Sequence, residues 1–439
     1  MAGAILEAIG SNGVLVAEAG TGTGKTFAYL VPALLAGGKV IVSTGTKTLQ
    51  DQLYDRDLPT VRDALASGAT AALLKGRANY VCLYRLERAR GEARFASREE
   101  AAQLQRIERF AARTTSGDRS DLAEVAEDAP AWQHATSTRD NCLGQECPRY
   151  KECFVMRARR NALAADVVVI NHHLFFADVV LRDEGVAELL PACNTVIFDE
   201  AHQLPETARM FFGDSVSTGQ LLELARDARL ELRAAGGASP ELDRLATRLE
   251  RAARELRLAF KEEGARLSLQ QAQRLAQFAP ALEALGAALE ALAQPLDAQA
   301  ERSEGLAGCA RRAAQARATF ARWRESGASD EVRWLEVFGH AVQLHVTLLS
   351  SAELFQRQMQ DHPRAWIFTS ATLAVGEDFS HFKRELGIEQ AAAHAWPSPF
   401  EFGRQALLYV PQRLPADPNQ AEFTAAVVEA ALPVLRASG

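Results

Sequence analysis

The sequence has no apolar run long enough to span a bilayer, which argues against an integral membrane protein. Its first residues carry neither a basic segment nor a signal-peptide cleavage pattern, so we expect a cytoplasmic protein with no membrane partner. Positive charge is in deficit, since the formal net charge is −7. This argues against a nonspecific nucleic-acid coat protein. It leaves room for a DNA groove, because a local basic stripe can lie on an acidic body.

Cysteine is scarce, and six cysteines in 439 residues are too few for a disulfide scaffold. Four of them form a set with one wide gap followed by two short ones: Cys82, Cys142, Cys147 and Cys153. Four thiolates can hold an iron–sulfur cluster or a zinc ion. Zinc sites favour cysteine pairs separated by two residues, and this set has none. The spacing therefore favours a [4Fe–4S] cluster, with zinc as the alternative.

Short apolar segments alternate with helical patterns along much of the chain. Strands are predicted at 13–18, 39–43, 166–171, 195–199 and 365–370, and helices at 46–58 and 421–436. The order strand, loop, helix, strand predicts an α/β fold with a parallel sheet covered by helices.

Two long segments interrupt this pattern. Residues 76–160 are polar and contain the four cysteines, and residues 205–362 are rich in Ala, Leu, Arg and Glu. Apolar residues in the second segment recur at three- and four-residue spacing, which predicts a helical insertion. A coiled coil that only oligomerises is the alternative, although Gly and Pro interrupt its heptads repeatedly.

A glycine-rich loop follows the first predicted strand and precedes a helix. Its residues are Ala19, Gly20, Thr21, Gly22, Thr23, Gly24, Lys25 and Thr26. Glycines allow consecutive backbone N–H groups to turn towards phosphate oxygens, and the following helix directs its positive end at them. Lys25 can reach the β- and γ-phosphates, and the Thr26 hydroxyl can bind Mg²⁺. The sequence therefore predicts an ATP site; the alternative is a simple glycine-rich turn.

A second motif, the acidic sequence Asp199-Glu200-Ala201-His202 (DEAH), begins at the last residue of the strand predicted at 195–199. Asp199 ends this strand and is expected to bind Mg²⁺, whereas Glu200 is expected to orient and deprotonate the attacking water. His202 is expected to link the nucleotide site to a DNA site. A motif of only four residues is a weak signal by itself. Its position at the end of an apolar strand and downstream of the glycine-rich loop makes the signal strong.

A run of basic residues surrounds Cys153, the last cysteine of the set of four. Arg149 and Lys151 are predicted to contact DNA phosphates, together with a second group formed by Arg157, Arg159 and Arg160. Tyr150 and Phe154 lie between these cations and are predicted to stack on bases. A solvated helix face is the alternative reading of such a charge run.

These motifs occur in an order that resembles superfamily 2 helicases of the XPD/DinG family. The segments AEAGTGTGKT, GRANYVC, NHHLF, DEAH and TSATL are most similar to the bacterial DinG-like members. The resemblance implies a RecA-like P-loop NTPase domain with an iron–sulfur insert and a helical Arch insert. It also implies ATP, Mg²⁺ and a [4Fe–4S] cluster as cofactors, and 5′–3′ translocation on single-stranded and forked DNA in repair or damage tolerance. A replication or repair protein as partner and a monomeric state are further expectations.

The resemblance also assigns roles to residues outside the two nucleotide motifs. Ser43, Thr44, Thr46 and Gln50 match the motif that grips the DNA backbone. Asn171 and His172 match the pair that precedes the DEAH motif. Thr369, Ser370, Ala371 and Thr372 match the motif that couples the ATP state to DNA.

The family pattern implies six successive segments in this chain. The motor domain is expected at 1–75, 161–204 and 363–400, the iron–sulfur domain at 76–160, the Arch at 205–362, and the start of a second motor domain at 401–439. Most of that second domain and a Gln-containing adenine motif find no match, so we expect these 439 residues to be unable to unwind DNA alone. The alternatives are a helicase–nuclease and a non-catalytic fragment that binds nucleotide and DNA.

Overall fold

The structure, a computed structural model, describes residues 1–89, 97–183, 189–325, 331–348, 350, 352–361, 364–411, 414–415 and 421–438. Its strands are β1 (Val14–Ala19), β2 (Val40–Thr44), β3 (Ala71–Leu73), β4 (Val167–Asn171), β5 (Thr195–Asp199), β6 (Asp214–Ser217), β7 (Arg266–Ser268), β8 (Glu331–Val337), β9 (Val342–Leu348), β10 (Ala365–Ser370) and β11 (Ala392–Trp396).

Its α-helices follow the same chain order. They are α1 (Ala2–Gly10), α2 (Lys25–Ala36), α3 (Lys47–Gln52), α4 (Leu58–Ala64), α5 (Leu83–Ala89), α6 (Arg98–Ala111), α7 (Trp132–Ala135), α8 (Phe154–Ala164), α9 (His172–Asp183), α10 (Leu204–Phe212), α11 (Thr218–Ala234), α12 (Pro240–Leu258), α13 (Leu269–Gln273), α14 (Phe278–Ala298), α15 (Glu304–Glu325), α16 (Ala352–Asp361), α17 (Ser380–Leu386), α18 (Phe402–Gln405) and α19 (Ala421–Ser438). A short π-helix, Leu53–Asp57, joins α3 to α4.

A parallel sheet forms the centre of the fold. Its strand order is β11-β1-β10-β5-β2-β4-β3, and every neighbouring pair runs parallel. Apolar cores cover both faces, which explains why its strands are nearly continuous runs of Val, Ile and Phe. The predicted α/β sheet is confirmed. Strands β3 and β11, at its two edges, were not predicted.

The carboxyl ends of these strands meet at one edge of the sheet. Thr44 pairs with Asn171, Thr369 pairs with Asp199, and Glu18 pairs with Ser370. Motifs that lie far apart in the sequence therefore meet at one crevice, where ligands of open α/β sheets bind.

The segment with the four cysteines forms a small domain with its own core. Tyr80, Trp132 and Phe154 are buried in it together with apolar residues of α5 and α6. Phe154 is only 4% exposed, so the prediction that its ring stacks on a base is wrong. Lys75 ties this domain to the sheet domain, because its Nζ lies 2.8 Å from carboxylate oxygens of both Asp51 and Asp118.

The segment predicted as a helical insertion is helical only in part. Helices α11, α12, α14 and α15 pack around one core, and an antiparallel sheet of order β6-β9-β8-β7 completes it. That sheet was not predicted, because its short strands lie among long segments rich in Ala, Leu and Arg. The packing of these helices within one chain gives no support to a coiled coil. The boundary predicted at 362 and 363 falls outside the described residues.

Buried ionic contacts hold the helical domain against the cysteine domain. Arg85 on α5 and Arg312 on α15 donate to the Asp227 carboxylate on α11 at 3.0 and 2.7 Å. The Tyr84 hydroxyl donates to Glu231 at 2.6 Å.

In the part of the chain that the structure describes, no helix has the length and apolar character needed to cross a membrane.

Candidate nucleotide site and basic pocket

The glycine-rich loop connects β1 to α2 at the carboxyl edge of the sheet. Gly22 and Gly24 adopt positive φ angles of 88° and 76°, a region that residues with a Cβ enter at a cost. Gly24 is the N-cap of α2, so the first N–H groups of that helix face the loop. The loop and helix N-terminus together form the arrangement that binds phosphate.

A segment from the end of β11 packs against this loop. The Gly20 N–H donates to the Trp396 carbonyl at 3.0 Å, and the Ser398 hydroxyl donates to the Thr21 carbonyl at 2.6 Å. A Cβ at Gly20 would lie 2.6 Å from the Ser398 nitrogen, and a Cβ at Gly22 would overlap the Phe400 ring. Glycine at positions 20 and 22 is therefore also required by close packing, which the sequence did not indicate.

The two acids of the DEAH motif lie beside Lys25. The Lys25 Nζ is 3.0 Å from Glu200 Oε1 and 3.8 Å from Asp199 Oδ1. Glu200 has a positive φ of 55°, a strained conformation for a residue with a Cβ and one that recurs at functional sites. Lys25, Asp199 and Glu200, predicted separately from two motifs, thus form one charged cluster.

Tyr29 is a member of this site that sequence reasoning missed. Its buried hydroxyl donates to Asp199 Oδ2 at 3.2 Å. Burial raises the pKa of Tyr29 well above its usual value, the Asp199 charge adds to this rise and the nearby Thr26 side chain opposes it, so the hydroxyl stays a neutral donor. Burial also raises the pKa of Asp199, whereas Lys25 opposes the rise. A bound divalent cation would favour its ionised form.

We expect Tyr29→Phe to weaken Mg²⁺-ATP binding by roughly fivefold, because removing one hydrogen bond costs about 1 kcal/mol. The loss would arise because the hydroxyl orients Asp199, one of the predicted Mg²⁺ ligands. Titration calorimetry measures it, with Tyr54→Phe as the matched control on the short π-helix that follows α3. Equal affinities for both variants would contradict the role of Tyr29.

His202 bridges the DEAH motif and the TSAT motif. Its Nδ1 lies 2.9 Å from the Ser370 hydroxyl and 3.4 Å from Glu200 Oε2. The Ser370 hydroxyl is itself 3.5 Å from Glu200 Oε2. The three side chains therefore form a continuous polar contact between the predicted catalytic acid and the end of β10.

His172 forms a second bridge, deeper in the sheet. Its Nδ1 lies 2.7 Å from the Ser43 hydroxyl, and its ring packs against Phe198 of β5. Burial lowers the pKa of His172 to about 3, so the ring is neutral at physiological pH. This contact joins the end of β2 to the start of α9.

The residues predicted to contact DNA differ in exposure. The side chains of Ser43, Thr44, Gln50, Thr369 and Ser370 are buried, whereas Thr46, Lys151 and Thr372 are exposed. Contact by the buried group would need backbone groups or a rearrangement. Their DNA contacts stay predictions.

The Arg149 side chain forms ion pairs with two neighbouring acids. Its guanidinium contacts the Glu87 carboxylate and donates to Glu152 at 2.8 Å. Binding a DNA phosphate at Arg149 would compete with these two ion pairs. The prediction that Arg149 contacts DNA therefore has less support than the prediction for the exposed Lys151.

The four cysteines of the set lie at the ends of short elements. Cys82 precedes α5, Cys153 precedes α8, and a 3₁₀ turn at Gly144–Glu146 separates Cys142 from Cys147. Burial raises the pKa of Cys82 to about 11; the backbone N–H of Arg85 opposes this rise, and the neighbouring Cys142 and Cys147 add to it.

The four thiols lie near enough to affect one another's pKa values, but where the structure describes them they are not arranged as metal ligands. Burial raises the pKa of Cys147, the backbone N–H of Arg149 opposes the rise, and Cys142 and Cys153 add to it. Among the residues that the structure describes, no three His, Cys, Asp or Glu side chains form an arrangement that could hold a metal ion. Four thiols, two of them with a backbone N–H donor nearby, nevertheless match the chemistry of an iron–sulfur site.

A basic pocket of about 250 Å³ lies between the cysteine domain and the carboxyl ends of the strands. Arg77, Arg139 and Arg159 line it together with Asn171 and His173, and none of its described lining residues is acidic. Burial lowers the pKa of Arg159, and the charge of Arg77 lowers it further. An anion would relieve this repulsion, so the pocket is suited to a phosphate group.

Similar proteins were found by sequence. A family model for DEAD/DEAH box helicases matches residues 2–72. The ATP-dependent DNA helicase YoaA of Escherichia coli K12 is 44% identical over 100% of this chain and 69% of its own length. YoaA of Haemophilus influenzae is 40% identical over 100% of this chain and 68% of its own. The helicase DinG of Mycobacterium tuberculosis is 40% identical over 47% of this chain and 34% of its own.

Proposed function

Because the chain belongs to the YoaA and DinG family of ATP-dependent DNA helicases, we propose that it uses ATP hydrolysis to move along single-stranded DNA. The observation that carries the proposal is the cluster of Lys25, Asp199 and Glu200 within 4 Å at the glycine-rich loop. We further propose 5′–3′ polarity, forked DNA as a substrate, and a role in repair or damage tolerance.

Each member of the cluster has a distinct role in this proposal. Lys25 releases Glu200 and pairs with the β- and γ-phosphates of ATP. The Thr26 hydroxyl and the Asp199 carboxylate would hold Mg²⁺, and Tyr29 orients Asp199. Glu200 would then accept a proton from the water that attacks the γ-phosphorus, while the bond from that phosphorus to the β–γ bridging oxygen breaks and ADP leaves.

The bridge through His202 is proposed to couple this chemistry to DNA. A shift of Glu200 during hydrolysis alters its contacts with His202 and Ser370, and thereby the loop that carries Thr372. Thr46 and Thr372, both exposed at the same sheet edge, are proposed to contact the DNA backbone.

The four cysteines are proposed to hold a [4Fe–4S] cluster with a structural role. Such a cluster would fix the cysteine domain through covalent iron–sulfur bonds. The N–H groups of Arg85 and Arg149 would donate to the sulfurs of Cys82 and Cys147. The cysteines would in turn hold α8, which carries Arg159 into the basic pocket.

ATP hydrolysis measured with and without single-stranded DNA tests the proposed function. We expect DNA to stimulate hydrolysis by this chain. Nucleotide and DNA binding without hydrolysis would instead support the non-catalytic alternative. DNA degradation in the presence of Mg²⁺ would support a nuclease.

We expect Arg159→Gln to weaken single-stranded DNA binding and to reduce the slope of log affinity against log salt by roughly 0.7, the value for one phosphate contact on a single strand. Fluorescence anisotropy over a salt series measures both effects. Arg251→Gln is the matched control, because Arg251 is exposed on α12 and pairs with Glu255 of the same helix. A parallel, unshifted salt dependence for Arg159→Gln would contradict a phosphate contact.

A further inference from the structure

Glu18 makes a contact that no sequence motif predicts. It lies on β1, one residue before the glycine-rich loop begins, and it is half-buried. Its Oε2 accepts the backbone N–H groups of Leu373 at 2.6 Å and Ala374 at 2.7 Å. These two amides belong to the loop that directly follows the TSAT motif.

This contact is strong for its type. A carboxylate that accepts two backbone N–H groups forms charge-assisted hydrogen bonds, about twice as strong as neutral ones. Both distances are short for hydrogen bonds from N–H groups to a carboxylate. Glu18 and Ser370 are also register partners on neighbouring strands, so the carboxylate is held on a rigid support.

The loop that Glu18 holds also contacts the Ser370 hydroxyl. The Thr372 N–H donates to that hydroxyl at 3.3 Å, and Leu373 follows directly. The same hydroxyl contacts His202 at 2.9 Å and approaches Glu200 at 3.5 Å. A chain of direct contacts therefore runs from β1 through the TSAT loop to the predicted catalytic acid.

We propose that Glu18 is a positioning residue for hydrolysis. It fixes the loop after Thr372 so that Ser370 can engage His202 and Glu200. Its hydrogen bonds go to the backbone amides of that loop. This inference rests on the proposed function, because it assumes that Glu200 acts on the attacking water.

The test compares Glu18→Ala with Glu18→Gln. We expect the alanine variant to lower kcat for ATP hydrolysis by roughly tenfold or more, since it removes hydrogen bonds to a charged group, and to leave ATP affinity within about twofold. We expect glutamine to restore kcat to within about threefold of wild type, because its carbonyl oxygen can accept both N–H groups. Asp166→Ala is the matched control: Asp166 accepts the N–H and hydroxyl of Thr70, both at 2.8 Å, just before β4.

Amide hydrogen exchange provides a readout that needs no hydrolysis. The amides of Leu373 and Ala374 should exchange about tenfold faster in Glu18→Ala than in wild type, since local protection follows local hydrogen bonding. Asp166→Ala should leave those amides unchanged.

Unchanged exchange in Glu18→Ala, an equal loss of ATP affinity and kcat, or no rescue by glutamine would each overturn the proposal. If wild type hydrolyses no ATP, the proposed function fails, and exchange alone then decides whether Glu18 holds the loop.

Discussion

Glu200→Gln is expected to lower ATP hydrolysis by about 100-fold or more, the usual contribution of a positioned general base. Glutamine keeps the size of the side chain and can remain near Lys25, but it accepts no proton from water. The Glu200 carboxylate is 3.0 Å from the Lys25 ammonium, so the substitution also removes a competitor for Lys25. ATP affinity should therefore stay the same or increase.

Single-turnover hydrolysis and titration calorimetry measure the two quantities separately. Glu206→Gln is the matched control, because Glu206 lies on α10, is exposed, and pairs only at the surface with Arg266 at 3.3 Å. Its hydrolysis should equal that of wild type. A Glu200→Gln variant that still hydrolyses ATP within tenfold of wild type would show that another group accepts the proton.

Cys153→Ser is expected to remove iron from the purified protein, since loss of a metal-site residue commonly costs about 10–100-fold in metal affinity or activity, and to weaken single-stranded DNA binding. Cys153 immediately precedes α8, and α8 presents Arg159 to the basic pocket. Freeing the start of this helix would disturb the pocket. ATP binding should change little, because Lys25 and Asp199 lie on elements of the sheet domain.

Iron and zinc analysis with visible absorbance measures the metal, and fluorescence anisotropy measures DNA affinity. Cys193→Ser is the control outside the proposed ligand set, and it should retain full iron. One zinc and no iron in wild type would replace the cluster with the zinc alternative. Full iron in Cys153→Ser would remove Cys153 from the ligand set.

The sheet and the ATP-site acids could be predicted because their signals are local. Strands β5 and β10 are apolar runs that end in polar residues, and the glycine-rich loop is a contiguous pattern. Once the strands are parallel, the carboxyl edge must gather Asp199 and Ser370.

The remaining features depend on contacts between residues far apart in the chain. Tyr29 looks like any helix residue until Asp199, 170 positions away, is placed beside it. Glu18 meets Leu373 across 355 positions. Arg77 and Arg159 form one pocket only because the cysteine domain folds back onto the sheet. No periodicity or motif carries such information.

Mg²⁺-dependent ATP binding by the purified chain tests the central claim most directly. We predict that wild type binds one ATP, that chelating Mg²⁺ weakens binding, and that Lys25→Ala weakens it at least roughly tenfold through loss of a charged hydrogen-bond donor. Lys39→Ala is the control, because Lys39 donates to the Leu163 carbonyl at 2.6 Å at the opposite edge of the sheet. Equal ATP affinity in Lys25→Ala and Lys39→Ala would contradict the account.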